Sequence, residues 1–448
     1  MRLLKTVWNK VTNIFAKNEE GQEIEGMSQW LDSRPEILEW VAEDLGSKEL
    51  KATGRHGMSV ETVLRAGILK QAWQVSYKRL SFHMEDSMSC RAFVRLDSDL
   101  TPKKSALQIG ISAIRDTTWE RINRCMLKDA SSERIENGRK VRVDSTPTES
   151  NIHHPNDSAL LYDSIRVMGR LLENCQSTWG FIKYHTHSKP AKQLARKVLY
   201  AKKASQKEVH YKKLVVLAKD NLKSLNNAGL YLAKRHIDGP DYNAWCAQVS
   251  NYRPLVEGVI SQTSIRVFND EKVPVSEKVV SLFEPHTDII VKDNREVYFG
   301  HKLNLTSGKS SMILDIVIEP GNPADSERFL PMIENHIGTY GCPPQKITAD
   351  GSYASKDNLK KAKDEGIKDV VFHKKRGLET EYMAKSDWVY NQLKNFRAGI
   401  ESNISCLKRV YGLRRCTWKG LPHFKAYVWS AVVAYNLTLF TRLRMESD

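Results

Sequence analysis

Lys140-Val141-Arg142-Val143-Asp144-Ser145-Thr146 is the stretch on which the fold turns. Val141 and Val143 alternate with Arg142, the period of a half-buried strand, and the strand is expected to end at Asp144. Asn137-Gly138, a turn signal, separates it from helical sequence upstream. Between residues 28 and 130 apolar side chains recur at helical spacing. Val60, Val63, Leu64, Ile68 and Leu69 follow a Ser59 cap, and Leu80 and Met84 share one side of Tyr77–Asp86. Leu107, Ile111, Ile114 and Trp119 predict one helix over 105–126, and Trp73, Tyr77, Phe82 and Phe93 are expected in the core.

Downstream of Asp144 the helical period returns from Ser158 to about Leu232. No Gly or Pro lies between Pro190 and Gly229, which predicts one long helix or a tight helical pair. Strand character reappears in Val297–Leu305 and Met312–Ile318, joined through Thr306-Ser307-Gly308-Lys309-Ser310. Asn322-Pro323 then predicts a helix start, Lys346–Asp350 a strand, and Ser355 the cap of a helix stopping near Gly366. A strand over Lys368–His373 and a long helix over Trp388–Val410 complete the pattern. The order is α/β, a mixed sheet with flanking helices and a helical insert after its first strand.

The chain has 448 residues and 51.2 kDa, enough for two or three domains. Lys and Arg number 69 against 53 Asp and Glu, a formal charge of +16, which favours a polyanionic partner. The charge is uneven: residues 181–240 hold 14 basic and 3 acidic side chains, a net of +11. The seven cysteines are scattered without a Cys-x-x-Cys pair, which argues against a disulfide framework or zinc knuckle and for a reducing cytoplasm. The apolar run Ala426–Phe440 contains Ser430, Asn436 and Thr438 and falls short of the ~20 residues that span a bilayer, so a buried terminal helix is expected and no membrane partner.

Three acidic residues stand where chemistry can form. Asp144 and Asp350 are expected at strand ends, where open sheets place their sites, and Glu401 lies in the last long helix. Three carboxylates suit two hard, oxygen-liking cations, an arrangement that serves phosphodiester chemistry; they should lie within roughly 4 to 8 Å of one another. At 100° per residue, Arg397, Glu401 and Lys408 share one helix face, beside an apolar stripe of Val389, Leu393, Phe396, Ile400 and Leu407. The plain alternative for Arg397 and Glu401 is an exposed i,i+4 ion pair.

In these residues the sequence resembles bacterial insertion-sequence transposases of the DDE class. The matching pieces are Val143-Asp144-Ser145-Thr146, Tyr298-Phe299-Gly300-His301-Lys302, Gly321-Asn322-Pro323-Ala324-Asp325, Ala349-Asp350-Gly351-Ser352-Tyr353 and Arg397-x3-Glu401-x6-Lys408. Tyr411-Gly412-Leu413-Arg414-Arg415 resembles the family's basic tail, and Ser76-Tyr77-Lys78-Arg79-Leu80 its DNA-binding segment. The fuller family signature has Tyr three residues before the Arg, where this chain has Lys394; Tyr390 lies one turn earlier. Asp144 and Asp350 are 206 positions apart (350 − 144), Asp350 and Glu401 only 51 (401 − 350), so the insert falls in the first gap.

The resemblance implies an RNase H-like core and an N-terminal all-helical domain. The domains expected are a helical DNA-binding region over 1–130, a catalytic domain over 138–154 plus 285–410, a basic helical insertion over 155–284, and a C-terminal helix within 411–448. It implies that Asp144, Asp350 and Glu401 are catalytic and hold Mg2+, with Mn2+ as an alternative. Arg397, Lys408, Lys374, Lys375, Arg376, Arg414 and Arg415 are expected to contact DNA. The partners implied are double-stranded DNA, as terminal inverted repeats and target, and further copies of the chain assembled on it, in the cytoplasm. Two other functions share these residues: a DNA-binding protein that has lost catalysis, and an RNase H-like nuclease that does not rejoin DNA.

Other motifs carry less. Leu303 to Ser310 ends in Gly-Lys-Ser but lacks the first Gly of a phosphate-cradling loop. His153, His154, His185 and His187 have no Cys or carboxylate at zinc-site spacing, and Asp157 reads as a helix N-cap.

Overall fold

In the computed structural model the described residues are 15–46, 57–96, 101–180, 184–292, 296–373 and 377–446. The chain divides into two compact units, one formed by the residues up to Asn151 together with those from Ile290, the other by Ile152–Ile289.

The first unit opens with helices α1 (Glu19–Asp32), α2 (Glu36–Gly46), α3 (Val60–Ala72), α4 (Tyr77–Asp86), α5 (Met88–Phe93), α6 (Lys104–Ile111) and α7 (Asp116–Ser132). Side-chain oxygens of Ser59 and Ser76 accept from the Thr62 and Arg79 amides and set the starts of α3 and α4. The helix expected over 105–126 is two, α6 and α7, broken at residues 112–115. There the Arg115 amide and guanidinium both turn to the buried Asp44 carboxylate. Phe93 is core as expected, but Trp73 and Phe82 are exposed and pack edge-on against His83.

The sheet is β1 (Lys140–Glu149), β2 (Asp288–Lys292), β3 (Glu296–Ser307), β4 (Ile313–Ile318), β5 (Lys346–Ala349) and β6 (Asp369–Phe372). Their order is β2-β3-β1-β5-β6, with β4 also beside β3. β1 is antiparallel to β3 from Arg142–Ser307 to Glu149–Gly300, and parallel to β5 from Lys140–Lys346 to Val143–Ala349. The first strand therefore runs five residues beyond Asp144, because β3 is long enough to pair with it throughout. β2 has no counterpart in the sequence pattern.

Between β1 and β2 come α8 (Asp157–Trp179), α9 (Ser188–Tyr200), α10 (Ala204–Lys234) and α11 (Pro240–Phe268). The Pro190–Gly229 stretch is thus a helical pair. Leu161, Ile165, Leu172, Leu214, Leu225, Leu232, Val256 and Val259 belong to this second unit's own apolar core. The α8 cap is Asn156, which accepts from the Ala159 amide; Asp157 instead pairs with Arg266 at 3.0 Å.

The helices after β4 are α12 (Asp325–Tyr340), α13 (Lys356–Asp364), α14 (Thr380–Met383), α15 (Asp387–Arg409) and α16 (Leu421–Met445). α12 starts at Asp325 rather than Pro323, because the Asn322 side chain is turned to the Val291 carbonyl and the Pro323 carbonyl accepts from Lys302. α16 is buried along Val428–Leu437, and among the described residues no helix is long and apolar enough to cross a membrane. One apolar cluster includes side chains of α1–α3, β1, β5, α15 and α16, so the N-terminal helices and the sheet share a core. The result is a mixed sheet flanked by helices, with an RNase H-like arrangement, a helical N-terminal region and a large helical insertion after the first strand.

Candidate active site

The site is built on a gap in the edge of β1. β5 ends at Ala349, level with Val143, and the next contact on that edge is at Glu149, whose amide donates to Arg414 and whose carbonyl accepts from Cys416. Between them, among the described residues, the strand has no hydrogen-bonded neighbour on that side. Alternate residues turn their amides toward it, here Ser145 and Pro147. The Ser145 N–H is satisfied by the Asp144 carboxylate at 2.8 Å and Pro147 has none to satisfy. The sequence Asp144-Ser145-Thr146-Pro147 can thus leave a strand edge open without an orphaned donor. Asp350, the first residue after β5, sits at the same gap, where a parallel and an antiparallel neighbour diverge.

The opening is a cavity of about 610 Å³ lined by Asp144, Asp350, Arg397 and Glu401, with Lys292, Lys302, Asp325 and His373 also on its walls. α15 supplies Arg397 and Glu401. Val389, Leu393, Ile400 and Leu407 of its apolar stripe are buried, which turns the adjacent face to the opening. The Arg397 guanidinium joins all three carboxylates: Nη2 lies 3.0 Å from Asp144 Oδ2 and 3.7 Å from Asp350 Oδ1, and Nη1 lies 2.6 Å from Glu401 Oε1. Because one nitrogen touches both aspartates, those two oxygens are at most 6.7 Å apart (3.0 plus 3.7 Å). The i,i+4 pair of Arg397 and Glu401 is therefore one arm of a four-residue cluster.

The two aspartates are electrostatically unlike. Burial holds the Asp144 carboxyl above its ordinary pKa, against the opposing pull of Arg397 and the Ser145 amide. Burial also acts on Asp350, but the amides of Gly351 and Ser352, Arg397 and His373 outweigh it and bring that carboxyl below its ordinary value. Beneath them the phenol of Tyr353, fully buried and pushed well up by burial, donates to Asn304 Oδ1 at 2.8 Å. Asn304 in turn donates to Glu319, which Arg328 also holds. This chain of buried bonds ties the turn after Asp350 to β3. On the opposite wall Lys302 pairs with Asp325 at 2.6 Å and donates to the Pro323 carbonyl at 2.7 Å.

The other residues expected at the site fall in different places. Lys408, on the Glu401 side of α15, lies beyond the cavity; burial, with repulsion from Lys292, lowers its pKa to about 8, and Glu149 and Glu296 partly oppose the shift. Arg414 and Arg415 are exposed on the loop that joins β1 at Glu149. Lys374, Lys375 and Arg376 lie outside the described residues. Tyr390 is buried and does not line the cavity; its hydroxyl donates to the Phe372 carbonyl. Lys292, Lys302 and Asp325 also line the cavity, and in the sequence only the Gly300-His301-Lys302 and Gly321-Asn322-Pro323-Ala324-Asp325 motifs point to the last two.

Elsewhere the motifs have structural explanations. The Ser310 amide and hydroxyl both donate to the buried Glu136, so the Gly-Lys-Ser turn spends its donors on a protein carboxylate. His153 pairs with Asp163 at 2.9 Å. Among the described residues no three His, Cys, Asp or Glu side chains stand close enough together to share an ion, and at the cavity Arg397 stands among the carboxylates. The donor set itself suits a hard divalent cation: three carboxylates, all oxygen, already gathered about a positive charge.

No curated protein and no solved structure matches the chain. Residues 287–437 match the transposase DDE domain, a class of enzyme that acts on DNA and uses divalent metal ions. The match holds β2 to β6, all of α15 and most of α16, with Asp350, Arg397 and Glu401. Asp144 lies far outside it in sequence, yet β1 pairs between β3 and β5 of the matched segment and presents its carboxylate to Arg397. Similarity to that domain over 287–437, completed by a strand from before the insertion, supports a transposase of the DDE class.

Proposed function

We propose that the chain cuts and joins DNA at the ends of its own mobile element, with Asp144, Asp350 and Glu401 as the catalytic carboxylates. The observation that carries this is the Arg397 guanidinium, which brings carboxylates from β1, the end of β5 and α15 to one open cavity. The three would hold two Mg2+ ions, with Mn2+ as a substitute, and the ions would supply activation of the attacking oxygen and stabilisation of the leaving one.

The chain's own groups divide the remaining work. Arg397 offsets the repulsion among the carboxylates and is placed to meet a phosphate entering between them. Asp350, held below its ordinary pKa by backbone amides, stays ionised; Asp144, raised by burial, gains most from a cation brought beside it. Lys408, Arg414 and Arg415 flank the far end of the β1 gap as DNA contacts, and Lys374, Lys375 and Arg376 are proposed for the same role. The N-terminal helices would recognise the terminal inverted repeats: α4 exposes Lys78, Arg79 and Phe82, with the Arg79 guanidinium over the Phe82 ring. The insertion over 155–284 would add a basic surface for DNA, and several copies would act together on paired ends in the cytoplasm.

The test incubates purified chain and Mg2+ with labelled DNA carrying the element's ends. Cleavage and joining that vanish in Asp350→Ala, with binding retained, support the proposal; unchanged activity in that variant would sink the site assignment. Cleavage without joining would favour the nuclease reading.

A further inference from the structure

We propose that Arg142 is a positioning residue, which sets the register of α15 on β1 so that Arg397 and Glu401 meet Asp144; this rests on the carboxylate site of the preceding section. Arg142 stands two residues before Asp144 and so points to the same face of β1. It is buried, and among the described residues it forms no ion pair. Its guanidinium instead donates to neutral oxygens: Ser307 Oγ at 2.8 Å, Ser311 Oγ at 2.8 Å, the Phe396 carbonyl at 3.0 Å and Asn403 Oδ1 at 3.2 Å.

Burial lowers the Arg142 pKa, and the attraction of Glu136, which forms no ion pair with it, does not offset that. A charge buried so costs on the order of several kcal/mol, and an apolar side chain of that size would fill the space more cheaply. The arginine's geometry gives it a use. One planar group reaches β3, the β3–β4 turn and two successive turns of α15. Asn403 completes the grip by donating to the Ser311 carbonyl at 2.6 Å. The Phe396 ring lies against the same guanidinium, 4.6 Å from its carbon, with Lys140 Nζ at 4.2 Å from the ring.

The helix is shaped to admit this group. A Cβ at Gly399 would come 1.8 Å from Arg142 Nη1, so any larger residue must push either the guanidinium or the helix aside. Phe396, Gly399 and Asn403 are spaced by three and four and lie on one face of α15. Arg397 and Glu401 follow them on the adjoining face. Two residues along β1 separate Arg142 from Asp144, about 7 Å, and five along the helix separate Phe396 from Glu401, about 7.5 Å. A clamp at one step therefore fixes the register at the next.

The full-length protein can be titrated with Mn2+ alone, reading the rise in thermal midpoint, for wild type, Arg142→Met, Gly399→Ala, the double variant and Asn436→Ala. Asn436 bonds β4 and Asn123 in the core, so its variant measures destabilisation without touching the clamp. The Mn2+ concentration at half-response should rise about tenfold to a hundredfold in Arg142→Met and in Gly399→Ala, the range seen when a ligand's supporting residue is lost. In the double variant it should stay near the Arg142→Met value, because the clash at Gly399 needs the guanidinium. Asn436→Ala should melt lower with an unshifted half-response. A wild-type half-response in Arg142→Met, an equal shift in Asn436→Ala, or additive effects in the double variant would each overturn the assignment. No Mn2+ response in wild type would overturn the metal-site proposal itself, and the positioning role with it.

Discussion

In the cavity beside β1 one guanidinium serves three carboxylates, whereas on α9 and α10 Lys189, Lys192, Arg196, Lys197, Lys213, Lys219 and Lys223 all face water. The first arrangement is a small charge held in place by packed elements; the second is a large charge on solvated helix faces, with Lys212 paired to Glu208 in the ordinary i,i+4 manner. The net charge of +16 is dominated by regions of the second kind, and the proposed chemistry belongs to the first. Excess charge draws a polyanion from a distance. Paired, half-buried charge shapes the point where bonds can change.

Substitutions can sharpen or break that contrast. The largest effect is expected at the carboxylates: Asp144→Asn or Asp350→Ala should bring strand cleavage to background in a gel assay while DNA binding persists. Arg397→Gln should come next. It leaves three neighbouring carboxylates without their cation and should cost roughly 1–3 kcal/mol in chemical denaturation, below the figure for a fully buried pair because Glu401 is mostly exposed. Converting Lys192, Lys197, Lys219 and Lys223 together to Gln should leave the folding free energy within about 0.5 kcal/mol in chemical denaturation. If those lysines neutralise phosphates, the same change lowers the slope of log affinity against log salt by about 0.9 for each. An unchanged slope would make the insertion a solvated surface and nothing more.

The smallest effect is a pH dependence. Lys408, with its pKa lowered to about 8, loses its charge across the pH range where an ordinary lysine keeps it. If it contacts DNA, binding should weaken as pH rises from 7 to about 9, and Lys408→Arg should remove that weakening. The accompanying stability term has the opposite sign: a lysine whose pKa is lower folded than unfolded destabilises the fold most below pH 8, and the cost is relieved as pH rises toward the unfolded value.

Much of this was legible in the sequence because the relevant signals are local. α15 could be placed from its apolar stripe, and with it the shared face of Arg397 and Glu401; the Val-Arg-Val alternation placed β1, and Ala349-Asp350 the end of β5. The misses were decided by partners distant in sequence. β2 is short, with Ile290 its buried residue, and shows no alternation to read. Asn322 has the right chemistry for an N-cap, but its amide reaches the Val291 carbonyl and α12 starts three residues later. β1 outruns Asp144 because β3 pairs with it to Glu149, and a Pro that would argue against a strand is harmless where the edge is open. That Arg397 would touch Asp144 and Asp350 as well as Glu401 depends on three segments meeting, which periodicity alone does not encode. Trp73 and Phe82 were expected in the core on composition, and neither is covered by the helices around it.

The most direct test of the central claim is an anomalous-diffraction experiment on crystals of the full chain grown with Mn2+. The account predicts Mn2+ density between Asp144, Asp350 and Glu401, each carboxylate contributing an oxygen, with Arg397 displaced from at least one of them. Density elsewhere, or carboxylates still held by Arg397 at Mn2+ concentrations that support cleavage, would contradict it.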